Sequence, residues 1–128
     1  MKKIFVLITF VFLSISLTAC GSSNVHEFKL VDNNEFLTMV TSADYPPFEF
    51  LVMDDNNRPV VTGIDIELGK LIALEQNKNL RVIDKSFDFL IEDVRSGNAD
   101  FAIAALTPTP ERKQVVDFSI SYFGANQV

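Results

Sequence analysis

Reactive side chains are scarce in this chain of 128 residues, which has one cysteine, Cys20, and one histidine, His26. A single thiol excludes an internal disulfide framework and any zinc site built from several thiolates. The lone imidazole has no second or third ligand beside it, and no nucleophile in the sequence has a matched base to activate it. Glycine-rich phosphate loops are missing too: there is neither a Gly-x-Gly-x-x-Gly run nor a P-loop. Basic residues are outnumbered, 11 against 17 acidic, and the net charge of −6 argues against a nucleic-acid partner. No cofactor is expected. The length suits one domain at roughly 100–200 residues each.

What is present starts with an export signal. Lys2 and Lys3 precede an apolar run from Ile4 to Leu17, softened only by Thr9, Ser14 and Ser16. A cationic start, a short apolar core and small residues at a cut site make a secretory signal, here over residues 1–19. The run of 14 residues falls short of the roughly 20 that a membrane-spanning helix needs. Leu17-Thr18-Ala19-Cys20-Gly21 resembles the bacterial lipobox, which implies lipidation of Cys20 and a membrane-anchored product. Residues 20–35 are expected to form the lipidated cysteine and a flexible polar tether, with His26 solvated in it.

Patterning changes at Phe36. Phe36 to Thr41 is a β-rich run that must turn at the Pro46-Pro47 pair, because proline cannot continue a central strand. Phe48 to Val52 alternates as a half-buried strand should, and the acidic turn at Asp54 to Asn57 joins it to Arg58 to Thr62 as a hairpin. That turn lacks the glycine and glutamate of a calcium loop. Gly63 ends the hairpin, after which Ile64, Leu68, Leu71 and Ile72 share one helix face. Asp65 and Glu67 stand in its first turn, where the helix dipole favours negative charge. Leu80 to Asp84 is the next strand, and Phe87, Leu90, Ile91 and Val94 mark a second helix capped at Gly97. Phe101 to Ala105 is an apolar strand expected to be buried on both faces. Thr109 and Pro110 open a short helix, and Asp117 to Phe123 is β-prone again.

Alternation of strand and helix argues for a mostly parallel sheet flanked by helices, an α/β lobe with a β-hairpin after the first strand. Ligands of such sheets bind beyond the carboxyl ends of the strands. That rule selects Ser42 to Tyr45, Ser86 to Phe87 and Ala105 to Arg112. Together these supply two aromatic faces (Tyr45, Phe87), two hydroxyls (Ser42, Thr107), the backbone at Ala105 and one guanidinium, Arg112. An arginine fork holds a carboxylate with two parallel hydrogen bonds, and aromatic walls would exclude water from that pair. Each residue also has a plain structural use. Tyr45 and Phe87 could be core aromatics, Thr107 could shape the Pro108 turn, and Arg112 could pair with Glu111 or Asp117.

Thr41-Ser42-Ala43-Asp44-Tyr45-Pro46-Pro47-Phe48-Glu49-Phe50, Gly63-Ile64-Asp65-Ile66-Glu67-Leu68, Thr107-Pro108-Thr109-Pro110-Glu111-Arg112 and Asp117-Phe118-Ser119 resemble the bacterial extracellular solute-binding proteins of family 3. The resemblance covers roughly residues 36–126. It implies a periplasmic-binding-protein-like lobe over 36–128, the substrate-binding component of an ABC importer for amino acids, and no enzymatic activity. In that family two lobes close on one amino acid. Carried over, Arg112 and Thr107 would hold the α-carboxylate, Ala105 would accept the α-amino group, Tyr45 and Phe87 would stack on the side chain, and Ser42 would help select it. Partners implied are an amino acid, a membrane permease and a separate chain supplying the second lobe, which is expected to be absent here. A half-site open to water is expected to bind weakly or undetectably, because exposed ion pairs contribute only about 0–1 kcal/mol. Two other roles fit the same residues: a lipid-anchored sensor or interaction module built on one lobe, or a non-functional fragment.

Overall fold

The computed structural model of the protein describes residues 24–124. The expected signal over residues 1–19 and the expected lipidation site, Cys20, lie outside them. In chain order the strands and α-helices are β1 (Val25–Phe28), β2 (Phe36–Thr41), β3 (Asp44–Tyr45), β4 (Glu49–Met53), β5 (Pro59–Thr62), α1 (Ile64–Glu75), β6 (Asn79–Asp84), α2 (Leu90–Arg95) and β7 (Phe101–Ala102). One sheet has the order β1-β6-β2-β7; a smaller one, β3-β4-β5, is an antiparallel meander. Within the larger sheet β2 pairs in parallel with both β6 and β7, and β1 runs antiparallel to β6. The result is the mostly parallel α/β lobe that the alternating pattern predicts.

Register explains the layering. Leu37 and Met39 of β2 lie opposite Leu80 and Val82 of β6, and all four belong to one core with Ile66 and Ala73 of α1. Val40 points the other way, into a second core with Leu90 of α2, Ala99 and Ala104. Side chains alternate across a strand, so helices on opposite faces bury successive residues of the same strand. Each large aliphatic side chain fully buried in this way contributes about 1.5–3 kcal/mol.

Several local expectations are corrected, among them the doubly buried strand over Phe101 to Ala105, which ends at Ala102 with both of its residues only partly buried. Residues 24–35 are not wholly a flexible tether, since β1 adds a strand to the sheet edge and Asn79 fastens the loop behind it. The Asn79 Oδ1 accepts hydrogen bonds from the Leu30 and Val31 amides at 2.8 and 3.1 Å, and its Nδ2 donates to the Asn33 carbonyl at 2.8 Å. His26 is consequently half-buried within β1, opposite Val82. Burial pushes its imidazole below the usual range while Asp84 pulls the other way.

The buried stripe of α1 is Asp65, Ile66, Gly69 and Ala73, with Leu68 and Ile72 at its margins; Ile64 and Leu71 are exposed. The helix lies so close to β2 that a side chain at Gly69 would meet the Met39 sulfur at 2.6 Å. Small residues therefore mark the packed face.

In β4 the polar residue is the one turned inward: Glu49 is 1% exposed, while Leu51, Val52 and Met53 are open to solvent. The last expected strand, Asp117 to Phe123, is irregular, and Ile120 is 90% exposed. By contrast β2, β5, β6 and the positive φ of Gly97 after α2 match the sequence pattern closely.

Candidate functional site

The strand order reverses at β2, which has β6 on one side and β7 on the other. In open α/β sheets such a reversal leaves a crevice beyond the carboxyl ends of the strands. Three loops meet there and are tied to one another. The Ala43 amide donates to Asp84 Oδ1 at 2.8 Å, and the Lys85 amide donates to the Thr41 carbonyl at 2.9 Å, which joins the ends of β2 and β6.

The third loop follows β7 and carries the guanidinium. Arg112 begins a 3-10 turn over Arg112–Gln114, and its amide is capped by Thr109 Oγ1 at 3.4 Å. Its Nη1 donates to the Thr107 carbonyl at 2.9 Å, which swings the side chain back across the rim. The guanidinium carbon then stands 5.2 Å from the Phe87 ring centroid, a cation–π distance. Among the described residues Arg112 makes no ion pair with a carboxylate. Phe87 itself is 39% exposed and so forms a wall of the rim more than a part of the core. One nitrogen of the fork steered by a carbonyl, with an aromatic face below, is an arrangement suited to an incoming carboxylate.

A second aromatic group flanks the β2 loop. Tyr45 stacks on Phe48 with centroids 5.6 Å apart and planes 9° from parallel, and Phe48 meets Phe123 edge-on at 5.0 Å. Ser42 is buried and its hydroxyl donates to Asp44 Oδ1 at 3.4 Å. A shallow polar hollow of about 280 Å³ is lined by Asn24, Ser42, Ala43, Asp44, Asp84, Lys85 and Ser86. A larger apolar hollow of about 660 Å³ runs along the start of α1 and is lined by Ile64, Leu68 and Leu71 among others. Neither hollow is lined by Arg112 or Phe87. The structure thus brings Arg112 into contact with both Phe87 and Thr107, while Tyr45 and Ser42 sit in the adjoining β2 loop with partners of their own.

Ala105 has φ of 46°, and its amide donates to Asp65 Oδ2 at 2.9 Å. The same carboxylate accepts from the Tyr122 hydroxyl, at 2.9 Å to Oδ1 and 3.1 Å to Oδ2. Asp65 is fully buried, and buried Glu49 lies beside it. Burial first, then the neighbouring Asp65 and Asp44, push the Glu49 carboxyl up to about 9. Burial and Asp65 likewise raise the Tyr122 phenol, with Glu49 adding to the shift. Sequence patterning missed this acidic group. Its one visible signal is the placement of Glu49 between Phe48 and Phe50, at a position where β4 turns inward.

Residues 37–128 match the family described as bacterial extracellular solute-binding proteins, family 3. The arginine-binding extracellular protein ArtP of Bacillus subtilis is 39% identical over 128 residues, which is 100% of this chain and 47% of that protein. The probable ABC transporter arginine-binding protein ArtJ of Chlamydia trachomatis is 33% identical over 127 residues, 96% of this chain and 44% of its own. The chain spans about half the length of these curated relatives. Among solved structures, the arginine-bound form of domain 1 from TmArgBP superposes with a TM-score of 0.62 at 41% identity, covering 69% of this chain and 67% of that one.

Proposed function

This chain belongs to the bacterial extracellular solute-binding proteins of family 3, and on that premise we propose that it is the solute-capturing part of an amino-acid ABC importer, with a cationic amino acid of the arginine type as its ligand. Arg112 grips the α-carboxylate and Thr107 hydrogen-bonds it. The backbone at Ala105 accepts the α-ammonium, Phe87 and Tyr45 stack along the side chain, and Ser42 helps select it. Asp44 and Asp84, beside Ser42, add negative charge that favours a cationic side chain. The observation that carries this role is the Arg112 guanidinium set above Phe87 by the Thr107 carbonyl at the switch point.

The lobe works with a membrane permease and a second lobe, supplied by the rest of the protein or by another chain. A lipid on Cys20 holds it on the outer face of the membrane. Binding by one lobe is measurable in this proposal, which goes beyond the weak pairing expected of a solvated half-site. Its support is the relative whose isolated domain 1 was solved in an arginine-bound form. Titration of the chain with each of the twenty amino acids, followed by NMR, tests the assignment. Saturable, single-site shifts with arginine are expected; no saturable response to any amino acid up to about 10 mM overturns it.

A further inference from the structure

Behind the rim, two buried carboxyl groups meet beside a phenol and a backbone amide. Asp65 comes from the first turn of α1 and Glu49 from the start of β4, and neither reaches solvent appreciably. Among the described residues Glu49 Oε2 has no hydrogen-bond partner, although it is buried. Charges so placed normally pair with a cation, but the groups that act on Glu49 are the acids Asp65 and Asp44. The donors aimed at Asp65 are the Ala105 amide and the Tyr122 hydroxyl. One of them belongs to a peptide in the left-handed region, where a residue with a Cβ is unfavourable unless something holds it.

We infer that Asp65 is a positioning residue for the ligand, fixing the Ala105 peptide in its left-handed turn and, through Tyr122, tying that turn to the segment beyond the rim. The inference rests on the binding role proposed above, because the Ala105 backbone is where the α-ammonium is received. Asp65 touches no ligand atom in this scheme. It holds the Ala105 amide and with it the left-handed turn that presents the Ala105 carbonyl, while the raised Glu49 carboxyl beside it keeps its proton. Deprotonation of Glu49 near pH 9 puts a new negative charge against Asp65, with Asp44 nearby, and the turn at Ala105 is then disturbed.

Two measurements on the full chain test this. Without ligand, the methyl resonance of Ala105 is followed from about pH 6 to about pH 10.5 in wild type and in Glu49→Gln. The wild-type resonance is expected to move with a midpoint near 9, and the variant resonance to stay put. A wild-type resonance insensitive to pH, or one that moves alike in both proteins, overturns the inference. Next, arginine affinity is measured for Tyr122→Phe, for Asp65→Leu and for Asp65→Leu combined with Ala105→Gly. Both single variants are expected to lose about fivefold or more, and the glycine to restore most of it, because glycine adopts the left-handed turn unaided. A loss that glycine does not repair marks Asp65 as a packing residue only and overturns the positioning role. If Asp65→Leu does not fold, Tyr122→Phe and the ligand-free titration decide. Should wild type bind no amino acid, the proposed function falls while the Ala105 titration still settles the placement.

Discussion

Arg112 owes its place to two weak interactions. The Thr107 carbonyl fixes one nitrogen, and the Phe87 face supports the flat of the guanidinium. Lysine would keep the charge but lose both the planar stacking and the forked donors. Arg112→Lys is therefore expected to weaken arginine binding by about tenfold or more while leaving the melting temperature nearly unchanged, which titration and thermal melts would show. Ala105 makes the opposite case, a residue strained in the folded state. Replacement by glycine removes the Cβ clash of the left-handed turn, so Ala105→Gly is expected to raise stability by about 0.5–1 kcal/mol in urea titrations. An unchanged or lowered midpoint would count against the strain. At this scale the rim residues were legible, because a topological rule alone sends Phe87, Thr107 and Arg112 to strand ends. Asp65 and Glu49 were not legible as a pair, since an acid in a first helical turn or a half-buried strand normally faces water. The one local sign of the buried case is that Glu49 stands between Phe48 and Phe50.

Among the elements, β1 shows how much depends on one side chain. The loop from Lys29 to Glu35 has little apolar content, and it is held chiefly by the buried Asn79 amide, which engages backbone groups of Leu30, Val31, Asn33 and Glu35. Truncation would orphan those groups together. Asn79→Ala is expected to cost about 2 kcal/mol or more, read from chemical denaturation, with hydrogen exchange rising first in residues 25–35. Exchange that stays slow there would refute the assignment. The polar composition of this stretch hid its strand, because an edge strand needs only one partner and can be polar on its outer side. Helix α1 misled for a related reason. Its bulky aliphatics predict the packed face, whereas close approach to Met39 selects Gly69 and Ala73 and turns Leu71 outward. Gly63 was legible as a break, and its role is stringent: a Cβ there would stand 2.1 Å from the Phe48 carbonyl oxygen.

For the molecule as a whole, two carboxyl groups pull stability in opposite directions with pH. Lys85 beside the buried Asp93 holds that carboxyl below the usual range, so its contribution is present above the ordinary aspartate value of 3.8 and is lost as pH falls through the lowered one. Glu49 is raised from 4.5 to about 9, so its contribution is full below 4.5 and drains away as pH climbs toward 9. Stability is thus expected to peak on the acid side of neutrality. Glu49→Gln, which mimics the protonated acid, is expected to be more stable than wild type by about 1–3 kcal/mol at pH 8 and to lose that advantage near pH 5. Melts across this range would show the two curves converging; parallel curves would refute it. The overall architecture was legible because strand–helix alternation, read with the hairpin set aside, admits few arrangements.

The first strand also has a consequence for orientation. Because β1 runs antiparallel to β6, Val25 lies level with Ile83, and the Asn24 carbonyl receives the Asp84 amide at 2.7 Å on the rim side of the sheet. Only four peptide links separate Asn24 from Cys20, a reach of at most about 14 Å. With an acyl chain on Cys20, so short a leash would leave the lobe little freedom to roll. The rim of the sheet would then stay near the membrane surface, whichever way the far end of the lobe turns.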